Sequence, residues 1–232
     1  MLKSSTRRSH LQQIFAVLAV SVLPGKVWAQ FSQGDALSGV KTALERGADA
    51  AVSLLGQNGG FLDNPKVHIP LPGVLNDAAK VLKAMGQQKR VDELVTAMNR
   101  AAEAAVPQAK ALLKSAVKNM GVDDARKLIS GGDDSVTRFF AEKTRAPLAE
   151  KFLPIVTQHT ERLAVAEKYN ALASKAAGLG LLKKEDANVQ QYVTGKALDG
   201  LYLMIAEEER KIRQDPIGTG SAILKKVFGG LK

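Results

Sequence analysis

An all-α fold is the class that this 232-residue sequence predicts. Apolar residues recur at three- and four-residue spacing through most of the chain beyond Leu37. No run of useful length alternates apolar with polar residues, so strands are not expected. Glycine, proline and aspartate fall between the periodic stretches, where helices stop and start. Together these predict a single-domain bundle of roughly seven to nine helices with one long Gly/Pro-rich connector.

The chain begins with a different pattern. Arg7 and Arg8 precede an apolar run, Ile14 to Leu23, that closes at Val27-Trp28-Ala29. A basic start, an apolar stretch too short to span a bilayer and a small residue before the cut describe a cleavable export signal. The expected division is a signal over 1–29 and a helical domain over 30–232, with a periplasmic mature protein beginning at Gln30. Thr6-Arg7-Arg8-Ser9-His10-Leu11-Gln12 resembles the twin-arginine export pattern. Leu11 keeps that pattern and His10 and Gln12 depart from it, so the general secretory route stays open.

Removing Lys3, Arg7, Arg8 and Lys26, with no acid among residues 1–29, lowers the formal net charge from +10 to +6. A moderately basic exported protein is expected to meet anionic lipid or cell-wall polymer rather than nucleic acid. The sequence has no cysteine, which excludes disulfides, thiol catalysis, thiolate metal sites and a lipoprotein anchor. No stretch after the signal is long and apolar enough to span a membrane, and a soluble product is expected.

Element by element, Val40, Leu44, Ala48, Ala51, Val52 and Leu55 mark a first helix that stops at Gly56. The connector, Gly56 to Gly73, carries Phe61, Val67, Ile69 and Leu71, with room for a short extended piece. Connectors of this length are functional or packed by their own side chains. Pro72 suits the first turn of a helix to about Met85, with Gly86 as its stop. Leu94, Val95, Met98, Ala101, Ala102, Ala105, Ala109, Leu112, Leu113, Ala116 and Met120 mark one face, and Pro107 within them predicts a kink or a break. Alanine at so many core positions predicts close helix approach.

Ser130-Gly131-Gly132-Asp133-Asp134 reads as a stop followed by a start, with Asp133 or Asp134 capping a Val136–Thr144 segment. Pro147 opens the next helix and Pro154 bends or divides it. A periodic stretch from Ile155 to Ala177 ends at Gly178-Leu179-Gly180, and a long helix runs from Asp186 to Arg213. Ala222 to Lys232 is a short basic amphipathic segment.

Catalytic signatures are missing: there is no G-x-S-x-G, P-loop, H-E-x-x-H or G-x-G-x-x-G. Asp123, Asp124, Asp133 and Asp134 do not fall at calcium-loop spacing and read as helix caps. No metal or cofactor is expected. His159 shares the stripe Phe152, Val156, Leu163 and is expected to point inward; His68 lies in the connector, where side chains line sites. Residues 197–206 are apolar nearly all round, which marks a buried central helix and predicts that Asp199 is not fully solvated. Glu208 falls on the face set by Val193, Ala197, Leu201, Met204 and Ile212, so it should be paired, protonated or facing a cavity. Glu209 and Arg213 read as a plain i,i+4 surface pair.

Several segments occur in a familiar order: 64–72, Met98 to Glu103, Gly131-Gly132-Asp133, Tyr192 to Leu201, Ile205 to Glu209 and Lys225 to Phe228. Over the whole chain after the signal they resemble the bacterial family called domain of unknown function 4197. The resemblance implies an exported, helical, one-domain protein and supplies no activity. It also places Asn99, Arg100, Glu103, Asp199, Glu207 and Glu208 in shared segments, which suggests a common polar cluster.

Two function classes follow. In the first, a non-catalytic periplasmic protein binds an unknown ligand or envelope protein where Arg100, Glu103 and Glu208 meet. Its tail, with Lys225, Lys226 and Phe228, would touch anionic membrane weakly or pack on the bundle. In the alternative, an enzyme of unrecognised type uses Glu208 with Glu103 or His68 as acid and base.

Overall fold

The computed structural model describes residues 33–72, 79–80, 84, 86, 88–132, 134–161, 164–180 and 183–215. The chain divides into residues 1–30 and 31–232. The export signal, the helix expected between Pro72 and Met85, Asp133 and the basic tail fall wholly or largely outside the described residues. The described part of 31–232 is all-α, with no strand among its residues: α1 (Gln33–Leu55), α2 (Gln88–Ala105), α3 (Ala109–Lys118), α4 (Val122–Ser130), α5 (Ser135–Thr160), α6 (Ala164–Gly178) and α7 (Val189–Gln214).

The centre of the bundle is α7, which packs on α5, α1 and α2, while α2 and α3 also pack on α5. α5 and α7 run antiparallel, since Ser135 lies at Glu209, Thr144 at Tyr202 and Arg145 at Asp199. α1 and α3 are antiparallel too: Lys41 donates to the Lys118 carbonyl and Asp49 pairs with Lys110 at the other end. Ala101, Ala102, Ala105 and Ala109 are fully buried beside Met98 and Leu113. Burial of apolar surface is the main favourable term in such a bundle, at roughly 25 cal/mol per Å².

Pro107 breaks rather than kinks its helix. Val106–Gln108 forms a single 3-10 turn between α2 and α3, and Val106 is buried there. Pro147 and Pro154, by contrast, divide nothing: both lie inside the continuous α5. The expected separate segments therefore merge. The buried residues of α5 explain the continuity, because Phe140, Thr144, Leu148, Phe152, Val156 and Thr160 make one four-residue ladder across both prolines. That ladder also corrects His159. It is exposed, because Thr160 takes the inward position and returns its hydroxyl to the Val156 carbonyl. The chain breaks instead after Thr160, before α6, where neither glycine nor proline marks it.

Residues 56–72 fold as successive turns rather than as a strand. His68 N–H donates to the Asn64 carbonyl, Asp63 N–H to that of Gly59, and the Asn64 side chain accepts from Lys66 N–H. Gly59 carries φ +85°, a left-handed conformation open to glycine. Phe61, Val67, Ile69 and Leu71 all point into the core. Phe61 seats on Gly200 of α7, where an added Cβ would lie 2.8 Å from the ring.

Candidate functional site

The polar residues expected to form a site lie mostly around residues 56–72, where Asn99 and Glu103 bind backbone. Asn99, fully buried on α2, accepts from Ile69 N–H at 2.8 Å and donates to the Ile69 carbonyl at 3.0 Å. Its amide thus treats Ile69 as a neighbouring strand would, and a second N–H bond ties it to the Val95 carbonyl. One turn on, Glu103 Oε1 accepts the backbone N–H groups of Phe61 and Leu62, each at 3.0 Å. Arg100 completes the unit with a 2.7 Å bond to Glu103 Oε2. Burial acts to raise the Glu103 carboxyl, but the Leu62 N–H, the Arg100 guanidinium and the Phe61 N–H override it and hold the group below the usual carboxylate range.

α7 grips the same segment from the other side. Glu207 accepts from Lys66 Nζ at 2.8 and 2.9 Å, and Tyr192 donates its hydroxyl to the Pro70 carbonyl at 2.9 Å. Burial, with lesser contributions from Asp186 and Asp199, pushes the Tyr192 hydroxyl up to about 12, so it remains a donor at neutral pH. Asn99, Arg100, Glu103 and Glu207 therefore converge on one stretch of chain. His68 belongs to that stretch, half-buried beside a surface hollow that Leu71, Asp92 and Thr96 also line.

Asp199 and Glu208 stand apart from this group. Asp199 is exposed, contrary to expectation, and pairs with Arg145 at 2.6 Å and with Lys196 at 3.8 Å. Within the apolar run only Asp199 and Leu203 are exposed; Gln191, Lys196, Arg210, Lys211 and Gln214 are the other exposed residues of α7. Glu208 lies against α1, its Cβ 3.7 Å from where a Gly47 Cβ would sit, and its carboxylate pairs with the exposed Lys211. That pairing raises the Lys211 ammonium.

The buried carboxylate of the last turns is Glu209, which the sequence reading assigned to the surface. It is 5% exposed, and its Oε1 and Oε2 accept the Val136 and Thr137 N–H groups at 3.2 and 3.3 Å. Glu209 thereby caps the N-terminus of α5 from another helix. Asp134, the expected cap, makes no side-chain cap bond and pairs with Arg138 instead. Arg213 joins Glu209 at 2.9 Å, the Ser135 hydroxyl at 2.8 Å and the Leu128 carbonyl at 2.9 Å, closing the end of α4 as well. Glu209 completes the stripe of Leu198, Leu201, Ile205 and Ile212 as Glu208 completes that of Val193, Ala197, Leu201 and Met204, so spacing alone admits either. Of the other expected caps, Asp124 accepts the Gly121 N–H at 3.2 Å and Asp123 pairs with Arg126 at 3.6 Å. Among the described residues, no group of three or more histidine, aspartate or glutamate side chains is placed to hold a metal ion, and no helix is long and apolar enough to cross a membrane.

No curated protein and no solved structure matches the chain. The family described as "Protein of unknown function (DUF4197)" does, over residues 30–229, and the chain belongs to that family.

Proposed function

We propose that this chain is an exported, periplasmic, non-catalytic protein that acts by binding a ligand or an envelope partner. Its complete bundle would hold seven to nine helices once the segments outside the described residues are counted. One observation carries the non-catalytic reading: the carboxylates best suited to acid–base work already have structural partners. Glu103 is held by three donors that favour its charged form, which removes it from proton exchange at neutral pH. Glu208 lies against α1 with its charge answered by Lys211. The export reading draws on the signal pattern over residues 1–29 and on the family match, which begins at the expected cut.

Native mass spectrometry of the protein taken gently from periplasm tests both parts. The expected mass is that of the chain from Gln30, with a ligand or partner that denaturation releases. A protein retaining residues 1–29 in the cytoplasm would refute export. Turnover of an envelope substrate that Glu103→Gln abolishes without unfolding the chain would refute the non-catalytic reading.

A further inference from the structure

α5 turns its ladder of buried residues toward α7, α2 and α3, and the opposite side of the helix is exposed. At about 100° per residue that side is centred on Ala146, with Phe139 seven residues before it and Leu153 seven after. Phe139 is half-buried and Leu153 is 37% exposed. Exposed Lys143 and Glu150 flank the line on one side, and exposed Glu142 with half-buried Ala149 on the other. Glu150 enters no ion pair among the described residues, and Lys143 reaches only its chain neighbour Glu142, at 3.1 Å. The two prolines of α5 lie on the Lys143 side. Lacking an N–H, Pro147 and Pro154 leave the Lys143 and Glu150 carbonyls without their helical donors.

The other side of the line opens into a groove against α7, where Glu142, Ala149, Gly195 and Thr194 line the wall. A Cβ added at Gly195 would meet nothing within 4 Å. Thr194 is 5% exposed, and its hydroxyl oxygen has no hydrogen-bond partner among the described residues. Threonines of α5 return the hydroxyl to the preceding turn, as Thr144 does to Phe140 and Thr160 to Val156.

We propose that this face docks on the same face of a second copy of the chain, antiparallel, about a two-fold axis that crosses α5 at Ala146. Such an axis carries each residue as far beyond Ala146 as it began before it, and keeps it on its own side of the line. Alanine at the crossing lets the helix backbones approach closely. Phe139 then meets the partner's Leu153 at either end. Lys143 meets the partner's Glu150, where the proline-freed carbonyl is a second acceptor for its ammonium. Glu142 comes level with the partner's Glu150 but on the opposite side, so the like charges stay apart. It enters the partner's groove instead. Arg145 bonds Asp199, and by that antiparallel register position 150 is level with Thr194, so Glu142 reaches the partner's Thr194 and accepts its hydroxyl proton. A basic partner would answer Glu142 and Glu150 but oppose Lys143; the mixed charges of this face are matched by the face itself, as an isologous contact requires. The dimer needs neither export nor an envelope ligand.

Sedimentation of the purified full chain should give a concentration-dependent dimer. Lys143→Glu or Glu150→Lys alone sets like charges opposite each other twice and should weaken it at least about tenfold, with helical circular dichroism unchanged. Lys143→Glu with Glu150→Lys together should restore it. Because the chain lacks cysteine, Ala146→Cys on the axis should close a symmetric disulfide between copies. Closure should be at least about tenfold faster than for Ser115→Cys, an exposed control on α3. Should position 146 disturb folding, Lys143→Cys with Glu150→Cys repeats the test, since about 10 Å separates the two within one helix and only a partner closes them. A chain monomeric at every concentration, a dimer indifferent to the single charge reversals, a double reversal that fails to restore it, or equal closure at 146 and 115 would each overturn the proposal.

Discussion

Truncating Glu103 to alanine should unfasten residues 56–72 from α2, and its cost can be worked from the bonds. The Phe61 N–H is buried and loses a charged acceptor, which costs about 2 kcal/mol. The Leu62 N–H is part-buried and recovers some hydration, so about 1 kcal/mol is lost there. Arg100 keeps a third of its side chain in water and is left charged but solvated, which adds little. Glu103→Ala should therefore destabilise by about 3 kcal/mol in urea unfolding, with the slope unchanged. Glu103→Gln keeps an acceptor in place and loses only the charge, for about 1–2 kcal/mol, since charge-assisted bonds are roughly twice as strong as neutral ones. Arg100→Ala should cost under about 1 kcal/mol. Amide exchange locates the effect: protection at Phe61 and Leu62 should fall further than protection in α5. A Glu103→Ala cost below about 1 kcal/mol, or equal loss of protection everywhere, would refute the clamp.

Asn99→Ala leaves both polar groups of Ile69 unpaired in the core and should cost about 2–4 kcal/mol by urea unfolding. Glu209→Ala removes a carboxylate partner of Arg213 and uncaps α5 at the Val136 and Thr137 N–H groups, for about 3 kcal/mol, whereas Glu208→Ala should stay within about 0.5 kcal/mol; equal costs would contradict the assignment of the buried carboxylate. Gly200→Ala drives a methyl against the Phe61 ring and should cost about 1–3 kcal/mol, read as a lowered thermal midpoint. The Glu103 contribution has a definite pH sign. Its folded carboxyl titrates below the ordinary 4.5, so the stabilisation is full above that pH and is lost as pH falls through the lowered folded value; Glu103→Gln should flatten that part of the stability profile.

The helical class was legible because apolar spacing is set by helix geometry, and the six family segments were legible as strings of residues. What periodicity could not resolve was rotation within a helix already apolar on most sides. In α7 the choice between Glu208 and Glu209 turns on 100° of azimuth, and thirteen of its residues are buried, so several apolar stripes fit equally well. The inward position fell to Glu209 because α5 presents its free N–H groups there, a long-range fact that no local pattern encodes. The prolines misled for a related reason. Their local signal is a break, yet the ladder from Phe140 to Thr160 keeps α5 whole where packing outweighs the lost backbone bonds, while Pro107 breaks its run with a 3-10 turn.

A chain whose core is largely alanine, valine and leucine has few ways to hold the irregular segment 56–72, because turns leave backbone N–H and C=O groups that helices would have satisfied. Buried Asn99 and Glu103 answer that demand at Ile69, Phe61 and Leu62, and Tyr192 answers it at Pro70. Recurrence of such residues is thus expected from folding alone, even in a protein without a catalytic centre. The polar atom that folding leaves unanswered among the described residues is the Thr194 hydroxyl, in the groove between α5 and α7. Binding should be sought where the fold leaves a buried donor unspent, and mutation of Thr194 to valine should leave stability nearly unchanged while altering what the groove holds.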